Sequence, residues 1–302
     1  MTRREFFRNT SIGTLGILAF SALADTAGLS APLQNFHGQE IFERIVSKAS
    51  AENWRRLPIG ELIGKIAMEF KGTPYVGFTL EVSKDTEACV VNLTGLDCVT
   101  FFEDSLCMAR MLKRGKSSPE DLLAEVQFTR YRGGKIGDFT SRLHYTTDWF
   151  VDNAQKGVIK ILTPELPGAE PFTQKVGVMS AHPANYRQLA AHPDLVAKIR
   201  ATEAEINARS LKYLPMDKLA ADEHLLQTGD IVGVCTTAAG IDIGHTGLCI
   251  KDSEGVVHFM DASSSRKNMK VTFETDIAKC LNWSTKLTGV MFARPLEVTS
   301  AA

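Results

Sequence analysis

Six cysteines and seven histidines are the side chains in this 302-residue chain that could serve as nucleophile and base. Only a thiolate attacks well, and a free thiol titrates near about 8.5, so a nucleophilic cysteine needs a positive neighbourhood. The sequence gives Cys98 such a setting. Asp97 is a good N-cap residue, and Cys98-Val99-Thr100-Phe101-Phe102-Glu103 reads as the opening of a helix. That places the sulfur in a first turn, where unpaired N–H groups and the positive end of the helix dipole favour an anion. The same N–H groups could later hold an oxyanion. Cys107 lies nine residues on, roughly 900° around the helix, and so belongs to the opposite face and the core. Composition alone leaves a second reading of Cys98 open, because free cysteine is also a small buried hydrophobe.

The base must come from elsewhere in the chain. His37, His182, His192 and His224 lie in polar helix or loop contexts and belong to no constellation. His245 opens the run His245-Thr246-Gly247-Leu248-Cys249-Ile250 after a loop containing Gly240 and Gly244. It therefore stands near a strand end, where it could reach a helix N-terminus. A third polar group normally orients such an imidazole through its other nitrogen. The following strand offers His258 and Asp261, an odd number of residues apart. If that strand is unbroken they face opposite sides of the sheet, so only one can point at His245.

Around these residues, Gln39 to Phe70 has helical periodicity: Ile41, Ile45 and Val46, then Ile59, Leu62, Ile63, Ile66 and Phe70 after a break at Pro58. Gly72-Thr73-Pro74-Tyr75 stops the second helix, and Cys89 to Leu93 is a short strand-like run. The helix from Cys98 should continue to about Lys113 with Val99, Phe102, Leu106 and Ala109 on one face. Residues 120–225 read as helices and loops. Asp230–Cys235, His245–Ile250, Val256–Met260, Met269–Phe273 and Gly289–Arg294 read as strands of an antiparallel sheet. Helices first and strands last predict an α+β fold.

In that order Gly72-Thr73-Pro74-Tyr75, Leu96-Asp97-Cys98, Gly229-Asp230-Ile231-Val232, His245-Thr246-Gly247 and Asp261-Ala262-Ser263 resemble the NlpC/p60 cysteine hydrolases of bacterial cell walls. Leu80-Glu81, Thr100-Phe101-Phe102-Glu103 and Ser141-Arg142-Leu143-His144-Tyr145 make the chain similar to the N-acetylmuramoyl-L-alanine amidase-like branch. The resemblance implies a circularly permuted papain-like fold, with the helix bearing Cys98 packed on an antiparallel sheet bearing His245. It implies Cys98 as nucleophile, His245 as base and Asp261 at the third position, where the superfamily often has His-Ala-Ser; His258 stays open. It implies that Tyr75 stands beside the nucleophile. Asp97, Arg142 and His144 join Tyr75 as candidates for substrate or oxyanion binding, Arg142 because its planar fork suits a carboxylate. Arg142 as a surface ion pair and His144 as a structural histidine are the competing readings. His144 and Asp148 could be drawn as a metal pair, but no further ligands accompany them, and neither metal nor cofactor is expected. The implied substrates are peptidoglycan fragments, muropeptides, cut at the muramoyl-L-alanine amide or at the γ-D-glutamyl-diamino acid bond. A non-catalytic wall-binding module on the same fold is a further alternative.

The N-terminus carries an address. Arg3-Arg4-Glu5-Phe6-Phe7 precedes an apolar run from Ile12 to Leu23, too short and too rich in small residues to span a bilayer comfortably, which ends in Ala22-Leu23-Ala24. This resembles a twin-arginine export signal cleaved after Ala24, giving a periplasmic or otherwise exported protein. Residues 25–38 are expected to be a flexible segment, and residues 39–297 one catalytic domain. Loss of Arg3, Arg4, Arg8 and Glu5 leaves 31 basic against 34 acidic residues. Such a balance suits no nucleic-acid partner. No later apolar run reaches membrane-spanning length, so no stable membrane insertion is expected after cleavage. The cysteines show no paired C-x-x-C framework, and mostly reduced, buried thiols are expected.

Overall fold

The computed structural model describes residues 34–299; the proposed signal, residues 1–24, lies outside the described residues. A two-residue strand, Phe36–His37 (β1), pairs in parallel with Val91–Asn92 (β2). Phe36 is buried edge-on against Phe42, with ring centroids 5.5 Å apart. The end of the segment expected to be flexible is therefore pinned. Burying one aromatic ring offsets the ordering of a few residues.

Helices α1 (Gln39–Ala51) and α2 (Ile59–Glu69) follow, with Pro58 as the residue that caps α2. Next comes α3 (Cys98–Lys113), which departs from the one-faced helix read from its apolar spacing. It is buried without interruption from Thr100 to Leu112. Helices α2 and α4 (Pro119–Arg130) flank it, and the sheet lies against it. A helix enclosed on all sides must satisfy its polar groups internally. Glu103 accordingly accepts from Arg130 Nε at 2.7 Å and from Trp149 Nε1 at 2.9 Å, Trp149 lying in α5 (Thr146–Gln155). Arg110 donates to Glu125 at 3.0 Å.

The sheet has eight strands, all paired antiparallel. Three short ones, β3 (Ile159–Ile161), β4 (Glu170–Phe172) and β5 (Leu211–Pro215), come from the stretch read as helices and loops. The rest are β6 (Ile231–Thr236), β7 (Ile243–Lys251), β8 (Val257–Ser263), β9 (Lys270–Asp276) and β10 (Leu287–Pro295). Their order is β4-β5-β10-β6-β7-β8-β9, with β3 also pairing with β10. β6 is buried at every position, as a central strand covered on both faces should be. Val232, Val234, Cys249, Phe259, Val290 and Phe292 form one core with Leu162, Leu166 and Leu214. α3 packs on β7 and β8. Among the described residues no helix is long and apolar enough to cross a membrane. The architecture is α+β, helices against one antiparallel sheet.

Candidate active site

Asp97 fixes the start of α3. Its Oδ1 accepts from the N–H groups of Val99 (3.1 Å) and Thr100 (2.8 Å), while the Asp97 N–H donates to Thr100 Oγ1 at 2.9 Å. This reciprocal capping box engages Oδ1, so Asp97 fixes the helix start. Cys98 is the first helical residue and is only partly buried. Its carbonyl accepts from Thr246 Oγ1 at 2.7 Å, which ties the nucleophile's turn to the residue after His245.

His245 is the third residue of β7, at the point where pairing with β6 slips between Val234↔His245 and Cys235↔Ile243. Such a bulge re-aims a side chain without breaking the sheet. His245 Nε2 lies 2.6 Å from Asp261 Oδ2, and Asp261 Oδ1 accepts from Thr272 Oγ1 at 2.8 Å. Nδ1 is thus the nitrogen left for Cys98. Burial is the largest single influence on the imidazole and lowers its pKa. The Cys98 thiolate charge, the hydrogen bond to Asp261 and a hydrogen bond to Cys98 together outweigh it and push the value up to about 10. Protonated His245 donates from Nε2 to Asp261, which holds the ring in one orientation.

Of the two third-position candidates, the structure brings Asp261 to His245 and turns His258 away. His258 bonds Asp252 at 2.9 Å and the Glu274 carbonyl at 3.1 Å. The β8–β9 pairing steps from His258↔Asp276 to Met260↔Phe273, which puts the extra residue on β9. β8 itself stays unbroken, and the parity argument holds.

Tyr75 reaches the same place from the loop after α2. Its N–H donates to the Met269 carbonyl at 2.9 Å, and it bridges to Leu96 just before the cap. Burial first, then the charges of Cys98 and Asp97, push its hydroxyl up to about 12, so it remains a proton donor at neutral pH.

Arg142 and His144 do not join this group. The Arg142 guanidinium lies 5.0 Å over the Phe139 ring, its Nε is 3.2 Å from Glu87, and 8% of the side chain is exposed. His144 packs on Phe139, and its Nε2 is 2.7 Å from the Phe139 carbonyl. Burial, with Arg142 beside it, drops its pKa to about 3, so it is a neutral donor. The cavity shared by Arg142, His144 and Tyr145 is about 10 Å³, room for roughly one water and too small for a substrate carboxylate. Asp148 is held by Arg132 at 2.6 Å and Arg209 at 2.8 Å. No group of three possible metal ligands occurs among the described residues.

Sequence reasoning missed the supports. Thr272 is the register partner of Asp261, a relation visible only once strand pairing is known. Trp283 stands perpendicular to the His245 ring at 5.6 Å and lies over Phe259 at 6.4 Å, although 51% of it is exposed. Gly247 permits this arrangement, because a Cβ there would meet the Phe259 ring and the Met260 carbonyl oxygen at 2.5 Å. A cavity of about 360 Å³ opens beside the imidazole, lined by His245, Asp261, Ser265, Asn268, Glu274 and Trp283 among others.

The family model described as AmiA-like, N-acetylmuramoyl-L-alanine amidase-like, matches residues 65–284. A crystal structure of an N-acetylmuramoyl-L-alanine amidase from Bacteroides uniformis is 30% identical, with a TM-score of 0.72 over 79% of this chain and 99% of that one. A Bacteroides fragilis protein described as a putative xylanase is 33% identical, with a TM-score of 0.67 over 77% and 99%. Protein LPG0564 of Legionella pneumophila, 19% identical with a TM-score of 0.65 over 85% and 95%, shares the fold. No curated protein matches the chain. The matched span runs from α2 to the loop bearing Trp283 and encloses Tyr75, Cys98, His245 and Asp261. The chain belongs to the N-acetylmuramoyl-L-alanine amidase-like family.

Proposed function

We propose that the protein is an exported cysteine amidase of the NlpC/p60 type, on a circularly permuted papain-like fold, that cuts muropeptides between the lactyl group of N-acetylmuramic acid and L-alanine. The observation that carries this reading is the alignment of a helix-opening cysteine with a histidine held 2.6 Å from a buried carboxylate. His245 takes the thiol proton of Cys98, and the sulfur forms a bond to the amide carbon. The oxyanion is met by the N–H groups of the first turn of α3 and by the Tyr75 hydroxyl. His245 then gives its proton to the departing nitrogen, the C–N bond breaks, and a thioester remains. Water, deprotonated by His245, attacks the thioester. The C–S bond breaks, the acid leaves, and the thiolate is restored.

Selective alkylation tests the nucleophile. Cys107, Cys235 and Cys249 are buried with their thiols pushed well up, and burial raises Cys89 to about 11 and Cys280 to about 12. One equivalent of iodoacetamide at pH 7 should therefore modify Cys98 and abolish activity together, and His245→Ala should slow both. Full activity after modification of Cys98, or inactivation traced to another cysteine, contradicts the assignment.

A further inference from the structure

In the run His245-Thr246-Gly247 the histidine serves as base and the glycine leaves room for Phe259, while the threonine between them touches the nucleophile's backbone. Thr246 is 1% exposed and donates its hydroxyl to the Cys98 carbonyl at 2.7 Å. Successive residues of a strand point to opposite faces. Here both neighbours engage Cys98, His245 at the sulfur and Thr246 at the carbonyl. The slip in β6–β7 pairing lies just before them, so Thr246 stands in regular register, opposite Gly233.

The contact matters because of how α3 is held. Glu103 ties the helix to Arg130 and Trp149, and Arg110 ties it to Glu125, all of them in α4 and α5. Among the described residues, and apart from the bond within the dyad itself, the Thr246–Cys98 bond is the one hydrogen bond from α3 to a strand of the sheet. Burial of apolar surface holds two elements together without fixing their offset, whereas a hydrogen bond has a length and a direction. Cys98 is only partly buried, so packing does not fix it either. An offset of about 1 Å between reacting groups can cost about 100-fold in rate. Asp97 sets where the helix begins, and Thr246 sets where that beginning lies against β7.

We infer that Thr246 is a positioning residue for the reaction: by holding the Cys98 carbonyl, its hydroxyl sets the offset between the Cys98 sulfur and the His245 imidazole. This rests on the Cys98–His245 dyad and is independent of which amide is cut. A carbonyl in the first turn of a helix also accepts from the N–H four residues on, and the hydroxyl uses its second lone pair. Loss of the hydroxyl therefore leaves that carbonyl satisfied and the fold intact.

The test compares the purified mature protein with Thr246→Val, which keeps the side chain's shape, Thr246→Ala, which also lacks the hydroxyl, and Thr246→Ser, which retains it. Two rates are measured: hydrolysis of a soluble muropeptide and, without substrate, alkylation of Cys98 by iodoacetamide. Thr246→Val and Thr246→Ala should lose about 10- to 100-fold in kcat with KM changed less than about twofold, and both should alkylate more slowly. Thr246→Ser should stay within about threefold of wild type in both rates. The alkaline limb of kcat/KM should move to lower pH in Thr246→Val and stay in place in Thr246→Ser, because the thiolate is among the groups that keep the proton on His245. A side chain that merely fills space would leave that limb unmoved. Wild-type kcat and alkylation in Thr246→Val, a loss confined to KM, or a Thr246→Ser protein as slow as Thr246→Val overturns the positioning role. Alkylation needs no substrate, so it decides the role even where wild type leaves the muropeptide uncut, an outcome that would count against the amidase reading alone. Full hydrolysis by Cys98→Ala would overturn the dyad and the positioning role with it.

Discussion

The His245 imidazole is pulled down by burial and up by Cys98 and Asp261, and the upward pull prevails, to about 10. Acylation needs the proton on this ring for the departing nitrogen, so kcat/KM should fall on the alkaline side as His245 deprotonates near that value. Asp261→Asn removes part of the upward pull. It should move the alkaline limb to lower pH and reduce kcat by about 100-fold or more, while His258→Gln changes kcat less than about twofold. A pH–rate profile of the three proteins decides this, and the reverse ranking would transfer the orienting role to His258. Stability follows the same proton: a raised folded pKa favours the folded state at low pH, and the gain is lost as pH rises from about 6.5 through about 10. The placement of Cys98 at a helix start and of His245 near a strand end, and the parity of His258 and Asp261, were legible in the sequence, because residue type and period carry them. Thr272 was not, since its contact depends on register. Arg142 misled for a related reason: a guanidinium that suits a ligand carboxylate suits Glu87 equally well, and only the packing shows which it meets.

Two elements set the site, the capped start of α3 and the bulged start of β7. Asp97→Ala removes both cap hydrogen bonds and should lower stability by about 1–2 kcal/mol. It should also reduce kcat, since the same turn presents the oxyanion donors; chemical denaturation and steady-state kinetics read the two effects. Gly247→Ala places a methyl group against Phe259 and the Met260 carbonyl. About 1–3 kcal/mol of overpacking is expected, together with reorientation of Trp283 that its fluorescence would report. A Gly247→Ala protein of unchanged stability and emission would refute the packing account of the His-x-Gly motif. The bounds of α3 and the existence of the five long strands were readable from periodicity, although β8 and β9 each run three residues beyond the expected Met260 and Phe273. The three short strands β3, β4 and β5 were not, because three to five residues carry too little pattern. Nor was the complete enclosure of α3, whose charged residues Glu103, Asp104 and Arg110 argue for an exposed face until their buried partners are seen.

Across the whole molecule, helices before strands sufficed for the α+β class, whereas the order of the strands had to come from the structure. At its centre Asp104 is fully buried in α3, with Arg130 Nη2 3.6 Å away, and burial raises its carboxyl to about 8 despite that cation. The folded state thus keeps a proton that the unfolded chain, with an ordinary carboxyl near about 4, releases. Stability from this group is present at low pH and is lost as pH climbs from about 4 through about 8. Asp104→Asn should flatten that part of the Tm–pH curve, and an unchanged slope would contradict the assignment. Export is a separate matter of residues 1–24: replacing Arg3 and Arg4 with Lys should leave uncleaved precursor in the cytoplasm, and normal export would point to the general secretory route. The claim on which the rest depends is the identity of the bond. Mass spectrometry of a purified disaccharide muropeptide after incubation with the mature enzyme measures it directly. The account predicts an intact stem peptide beginning with L-alanine alongside free disaccharide acid, with neither formed by Cys98→Ala. L-Ala-γ-D-Glu still attached to the sugar, with the diamino acid released, would contradict it and make the protein an endopeptidase.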